Sequence, residues 1–328
     1  MNAPLIWIVG AGGLLGSHLR AALPRQFPQA RLWQSAPAHF SWTEPARLAE
    51  ELSHAVASFA AAVRHYGDSW ALLWCAGKGT VSSPAPALEP EWSSWARLLD
   101  LLGHARGDPL SDGRGLVFLA SSAGGVYGGN RQELLTEQTS PQPNSEYGAH
   151  KLRMECALRD WTDAHANASC LMGRISTLYG PGQDLRKPQG IISHLSRCLI
   201  HRRRASIYAP LDTRRDYLFI GDCAHQIAAC LDRLANERSR LLLKIFASER
   251  LTSVAEIIGI FFRITKHRPL IVMRQARTTQ AISLKFRSAV WSDVGGFRKT
   301  DFAAGIHLLH EHQMALFQRG LLPPPALS

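Results

Sequence analysis

No two cysteines of this chain stand at a metal-binding or redox spacing. The six (Cys75, Cys156, Cys170, Cys198, Cys223 and Cys230) are scattered, with no C-x-x-C among them, so they read as reduced, mostly buried thiols of a cytoplasmic protein. No apolar run approaches the ~18 residues that a bilayer demands, which excludes a membrane-spanning helix. The opening MNAPLIWIVGAGG has no basic leader and its short apolar run ends in glycines, so no signal peptide is expected. There is no internal repeat and no low-complexity block. The histidines of HLLHEH (307–312) are not at His-x-x-x-His spacing, so no metal site is expected there. Acid is scarce in the second half. Residues 1–150 carry 10 Lys/Arg against 12 Asp/Glu, whereas residues 151–328 carry 27 against 14. A basic half suits an anionic partner. The lack of any basic–aromatic motif argues against specific nucleic-acid binding and leaves a phosphorylated small molecule. The densest cationic run, HRRR at 201–204, fits a solvated helix end, where the helix dipole favours cations.

What is present is enough apolar material for a large core, 46% of 328 residues, in one big α/β domain or a domain with a smaller lobe. Short apolar strands are expected at Leu5–Val9, in ARLWQS, in SWALLWCAG, in GRGLVFLASS and in ASCLMGRIS. Between them lie helical patterns: a first helix stopping near Pro24, one from Glu44 to about Tyr66, one in EPEWSSWARLLDLLGHA, and one over 145–166. Strand and helix alternate, which argues for a parallel sheet with helices on both faces. After YGPGQ (179–183) prolines and glycines loosen the pattern, and the tail LLPPPALS is expected to fray.

GAGGLLG places Gly10, Gly13 and Gly16 directly after the first strand and at the start of a helix. In that context the glycines permit a tight turn and let the backbone approach a pyrophosphate, which the helix N-terminus then attracts. The second strand ends in Trp33-Gln34-Ser35. It has neither the acid that holds the ribose hydroxyls of NAD nor a nearby arginine for a 2′-phosphate. NAD and NADP both stay open, the missing acid tilting towards NADP. SEYGAHK (145–151) sets Tyr147 and Lys151 one helical turn apart on a common face.

With SSAGGVYG some twenty residues upstream, GRISTLYGPGQ at 173–183 and RRDYLFIGDCA at 214–224, the chain resembles the extended short-chain dehydrogenase/reductase family, in its NAD-dependent epimerase/dehydratase (nucleotide-sugar) branch. The resemblance covers nearly the whole length. It implies a Rossmann-type doubly wound parallel sheet over residues 1–180, with 211–235 returning to it, and a smaller mixed α/β substrate lobe from 181–210 and 236–328. It implies NAD or NADP as cofactor, held by Gly10, Gly13, Leu14, Leu15, Gly16, Gln34, Ser35, Cys75, Ala76 and Gly77 together with Tyr147 and Lys151. It implies hydride transfer at a sugar carbinol or ketone with Tyr147 as the acid/base. The ordinary phenol pKa near ~10 needs help at neutral pH, which an ammonium one turn away supplies. The polarising hydroxyl is expected from Ser122, although the position usual in many relatives is Ala123 and Ser121 is the other candidate. Dehydrating relatives carry an Asp-Glu pair after that hydroxyl. Gly124 and Gly125 stand here, which disfavours a 4,6-dehydratase.

Substrate contacts are expected from Arg215 on the diphosphate, from Thr177 where relatives place an asparagine, and from Tyr208 against the base. Arg298 is either a second phosphate ligand or a solvated helix cap, and Lys78 either faces cofactor or substrate or is a solvated loop lysine. The activity implied is epimerisation of a nucleotide-diphospho sugar at C4, or NADPH-dependent reduction of a nucleotide-linked keto-sugar; a retired cofactor sensor is the reading from another class. The resemblance further implies a homodimer paired through residues 91–104 and 145–166.

Overall fold

Five consecutive apolar residues make strand β1 (Leu5–Val9), every one of them buried. This is the pattern of a strand covered on both faces. The computed structural model describes residues 4–67, 69–103, 109–185, 190–237, 240–274, 283–294 and 299–325. In chain order, β1 is followed by α1 (Leu14–Gln26), β2 (Arg31–Trp33), α2 (Pro45–Tyr66), β3 (Ser69–Trp74), α3 (Ala85–Gly103), the short α4 (Pro109–Asp112), β4 (Arg114–Ser122), the single turn α5 (Ala123–Val126), α6 (Glu146–Ala164) and β5 (Ala168–Ile175). Then come β6 (Thr177–Tyr179), α7 (Ile191–Ile200), β7 (Ala205–Ile207), β8 (Arg214–Phe219), α8 (Ile220–Glu237), β9 (Leu241–Phe246), β10 (Leu251–Ser253), α9 (Val254–Thr265), β11 (Ile271–Met273) and α10 (Phe302–Gln318).

Six strands form one parallel sheet in the order β2-β1-β3-β4-β5-β9. Successive side chains of a strand point to opposite faces, and β1 divides accordingly. Leu5, Trp7 and Val9 join Phe59 of α2, Trp95 of α3 and Met154 and Leu158 of α6 in one core. Ile6 and Ile8 join Leu19 of α1 and Ile227 and Leu231 of α8 in the other. Each large apolar side chain taken fully out of water stabilises the fold by roughly 1.5–3 kcal/mol before entropy is counted. Trp95 also donates its indole N–H to the Met154 carbonyl at 3.2 Å, tying α3 to α6.

The chain winds from β1 outward through β2, then crosses back to place β3 on the other side of β1. The carboxyl ends of β1 and β3 therefore diverge into a crevice, the place where open α/β sheets take their ligands. The other end of the chain builds the lobe that faces it. Strands β10, β8 and β6 form a three-stranded sheet, β7 and β11 pair in parallel, and α7, α9 and α10 close over a separate apolar cluster around Ile192, Ile257, Phe261 and Ile306.

The doubly wound architecture is the one expected from the alternation of elements. The division of the chain differs in detail. Of residues 211–235, α8 packs on the central sheet against α1, whereas β8 pairs only with β6 and β10. The sixth strand of the central sheet is β9, which the division implied by the resemblance had placed in the lobe. β9 reads LLLKIF, short and without flanking glycines, and only its pairing to β5 reveals where it belongs. Among the described residues no helix is long and apolar enough to cross a membrane, and all six cysteines are free.

Candidate active site

The glycine turn closes on two backbone contacts. Gly10 has φ +88°, and a Cβ there would lie 2.6 Å from the Ala76 nitrogen at the end of β3; a Cβ on Gly16 would lie 2.3 Å from the Gly10 carbonyl oxygen. No larger residue allows α1 to sit this close to the turn. Gly13 precedes α1 with no side chain capping it, so the helix N-terminus opens onto the crevice as an anion site. Gly13, Leu14 and Leu15, with Cys75, Ala76 and Gly77 after β3, line a cavity of about 570 Å³.

The opposite wall comes from β4 and α6. Ser145 starts α6 by accepting the Gly148 N–H at 3.1 Å. Tyr147 and Lys151 then face the cavity from one side of the helix. The Tyr147 ring is seated between Gly79 and Gly125, each of whose absent Cβ atoms would come within 3.1 Å of a ring carbon. Ser122 is the last residue of β4. Its hydroxyl accepts the Gly125 N–H at 3.1 Å, which leaves the hydroxyl proton to donate into the cavity that Ser122 lines.

Lys151 is buried. Its ammonium lies 2.6 Å from Glu91 Oε1 of α3 and 3.4 Å from the Ala120 carbonyl, and 5.8 Å from the Tyr147 ring centroid. Burial pulls the ammonium pKa down, but the Glu91 carboxylate and then Tyr147 outweigh it, and the net direction is up. Burial likewise pushes Glu91 up, and Lys151 and His150 reverse that, leaving the carboxyl below its ordinary value.

Behind this wall lies a buried polar network. Glu155, one further turn along α6, accepts the Ser121 hydroxyl at 2.5 Å and the Arg174 guanidinium at 2.7 Å; Arg174 also donates to the Tyr127 hydroxyl at 2.5 Å. It joins β4, α6 and β5 immediately under Ser122 and Lys151. Both serines line the cavity, but the Ser121 hydroxyl is committed to Glu155, whereas the Ser122 hydroxyl accepts from Gly125 and keeps its proton to donate.

At the far end of the cavity stand Thr177 and Arg215. Asp216, next to Arg215, accepts Ser176 at 2.7 Å and both the N–H and hydroxyl of Ser248 at 2.9 Å, which locks β8 against the end of β5. Five residues expected at the site do not line the cavity: Gly10 and Gly16, which shape the turn, and Tyr208, Gln34 and Ser35. Tyr208 follows the last residue of β7 and is 42% exposed, its neighbour Ala209 lining the cavity instead. Gln34 is exposed beyond β2, and Ser35 is buried with its hydroxyl on the Pro37 carbonyl. Lys78 is exposed and outside the wall. Arg298 lies outside the described residues. No cluster of metal-binding side chains occurs among the described residues; in HLLHEH, His307 pairs with Glu311 and His310 with Ser196.

Residues 6–242 match the NAD dependent epimerase/dehydratase family. The chain belongs to that family. Within it, the chain is 34% identical over 125 residues to the dTDP-L-rhamnose 4-epimerase of Burkholderia thailandensis, a match covering 38% of this chain and 33% of that protein. The curated relatives are matched over about a third to a half of their own length. Over whole chains the fold is shared with MoeE5 in complex with UDP-glucose and NAD (TM-score 0.70, 22% identity, 97% of this chain and 99% of that one). It is shared equally with RMD from Pseudomonas aeruginosa complexed with NADPH (TM-score 0.74, 19% identity, 95% and 99%).

Within this family member, sequence reasoning missed Glu91, which lines the cavity and holds Lys151. A signal existed. Leu88, Glu91, Trp95, Leu98 and Leu102 make the buried stripe of α3, and a carboxylate on an apolar stripe requires a partner. The partner is 60 residues away, which no local pattern reveals.

Proposed function

We propose that this chain is an NAD-dependent epimerase of a nucleotide-diphospho sugar, inverting the carbinol at C4. The observation that carries the reading is that Tyr147, Lys151 and Ser122 face one cavity whose other wall is the glycine turn and the open N-terminus of α1. The turn fits a dinucleotide, since the absent Cβ atoms of Gly10 and Gly16 are what allow its backbone to close. A bound nicotinamide supplies a hydride acceptor that is regenerated within the same turnover. Tyr147 takes the carbinol proton as the C–H bond breaks and returns it to the inverted alkoxide. Lys151 favours the phenolate that this requires. Ser122, its oxygen engaged by Gly125, donates its proton to the reacting sugar oxygen. Arg215 offers a planar fork to the diphosphate, a pivot about which the keto sugar turns its other face.

Two further observations support the choice of reaction. The cavity carboxylates Glu91 and Asp216 are both engaged, with Lys151 and with Ser176 and Ser248, so neither serves the acid/base pair that elimination of water needs. No Lys or Arg occurs between Trp33 and Glu44 to meet a 2′-phosphate, which favours NAD. The second reading, an NADPH-dependent keto-sugar reductase, is supported by the missing acid at the end of β2. A homodimer belongs to the proposal: α3 and α6 lie side by side, with Arg153 stacked 3.7 Å over Trp92 near their outer side. The test is to denature the purified protein, identify any released nucleotide by mass spectrometry, and assay UDP- and dTDP-hexoses for C4 inversion. Stoichiometric NAD with inversion is expected. An empty protein that consumes NADPH against a keto-sugar would replace this reading with the reductase.

A further inference from the structure

Glu91 occupies a position on α3 that the helix otherwise gives to leucine and tryptophan, and it is 9% exposed. Its carboxylate lies against Gly77, where a Cβ would come within 2.9 Å of both oxygens, and so forms the cavity wall between the end of β3 and Lys151. One oxygen binds the Lys151 ammonium at 2.6 Å; the other is 3.7 Å from His150 Nε2, a buried ring nitrogen with no hydrogen-bond partner. Tyr147, His150 and Lys151 share one face of α6, and Glu91 meets two of the three. The remaining ionisable groups facing this cluster are Cys75 from the end of β3, whose thiol burial pushes up, and Glu155, which is occupied by Arg174.

We propose that Glu91 is a positioning residue of this site: it anchors the Lys151 ammonium at the cavity wall and holds part of its charge back from the Tyr147 phenol. The inference rests on Tyr147 and Lys151 acting as the proposed function has them. The physical argument is a competition between counter-ions. A buried ammonium is stable only beside a negative charge. Glu91 supplies one permanently, and the phenolate of Tyr147, 5.8 Å away by its ring centroid, is the second. With Glu91 present the phenolate meets a largely neutralised lysine. With it gone, the phenolate becomes the lysine's nearest counter-ion.

The experiment reads the phenol directly and needs no substrate. Phenolate absorbance near ~295 nm is titrated in the full chain and in its Tyr147→Phe variant, the difference isolating one tyrosine of six; the titration is then repeated in the Glu91→Gln background. With the carboxylate removed, the Lys151 ammonium 5.8 Å from the ring centroid is no longer neutralised, and the Tyr147 midpoint is expected to move about one pH unit lower. A midpoint that stays in place overturns the proposal and leaves Glu91 a structural ion pair. Should Glu91→Gln not fold, Glu91→Asp withdraws the carboxylate by one methylene and is expected to move the midpoint the same way by less; no movement there overturns it equally. Absence of turnover with every nucleotide sugar would refute the proposed function while leaving this titration to be judged on its own.

Discussion

Ser121 and Ser122 are adjacent, chemically identical and differently aimed, so their alanine variants separate structure from chemistry. The Ser121 hydroxyl donates to buried Glu155 at 2.5 Å. A hydrogen bond to a charged group contributes roughly 1.5–3 kcal/mol. Glu155 keeps Arg174 on both oxygens, at 3.1 and 2.7 Å, so the loss falls near the low end, about 1.5–2 kcal/mol. At roughly 2–4 °C per kcal/mol, Ser121→Ala lowers Tm by about 3–8 °C and leaves turnover unchanged. Ser122→Ala loses only its contact with Gly125, a cap worth about 1 kcal/mol, yet removes the donor to the reacting oxygen, which costs ~10²–10³ in kcat. Thermal melts followed by circular dichroism, beside a C4-inversion assay on the same preparations, give both readouts. An active Ser122→Ala with a kinetically crippled, thermally normal Ser121→Ala would refute the assignment and the reasoning from hydrogen-bond direction behind it.

Other perturbations test other parts of the site. Tyr147→Phe is expected to lower turnover by ~10²–10⁴ while NAD still binds; unchanged turnover removes the mechanism. In Gly16→Ala the new methyl would stand 2.3 Å from the Gly10 carbonyl oxygen, forcing α1 away from the turn, and cofactor affinity measured by nucleotide fluorescence should fall at least about tenfold, a change of ~1.4 kcal/mol. Arg215→Ala should raise KM for the nucleotide sugar by roughly 10–100-fold, as expected for a lost charge-assisted contact, with cofactor affinity unaltered. Folding stability carries the mark of the Lys151–Glu91 pair. Glu91 is held below its ordinary 4.5, so its contribution is present above that value and lost as pH falls through the lower folded one; Lys151 is held above 10.5, so its contribution is present below that and lost as pH rises past it. The difference in urea midpoint between wild type and Glu91→Gln should therefore be level from about pH 5 to 10 and shrink at both ends. A difference that peaks inside that window would contradict the pairing.

The fold and most of the candidate site were legible from local pattern. Five strands alternating with amphipathic helices leave little choice but a parallel sheet covered on both faces, because each element has one periodicity and must bury the side it makes apolar. The glycine turn was legible because its meaning depends on neighbours in sequence, a strand before and a helix after. Tyr147 and Lys151 were legible because one helical turn is a fixed distance. What tertiary structure alone decided lies where elements distant in the chain meet. Whether β8 or β9 completes the central sheet depends on which finds a free edge, and β5 takes β9. Which of two adjacent serines has its hydroxyl proton already committed depends on Glu155 arriving behind β4. Tyr208 was expected at the base; it follows the last residue of β7 and is 42% exposed, with Ala209 lining the cavity beside it. Glu91 showed itself in the sequence only as a carboxylate on an apolar stripe; the ammonium that makes that burial tolerable comes from another helix, and pairing of that kind is a property of the packed molecule.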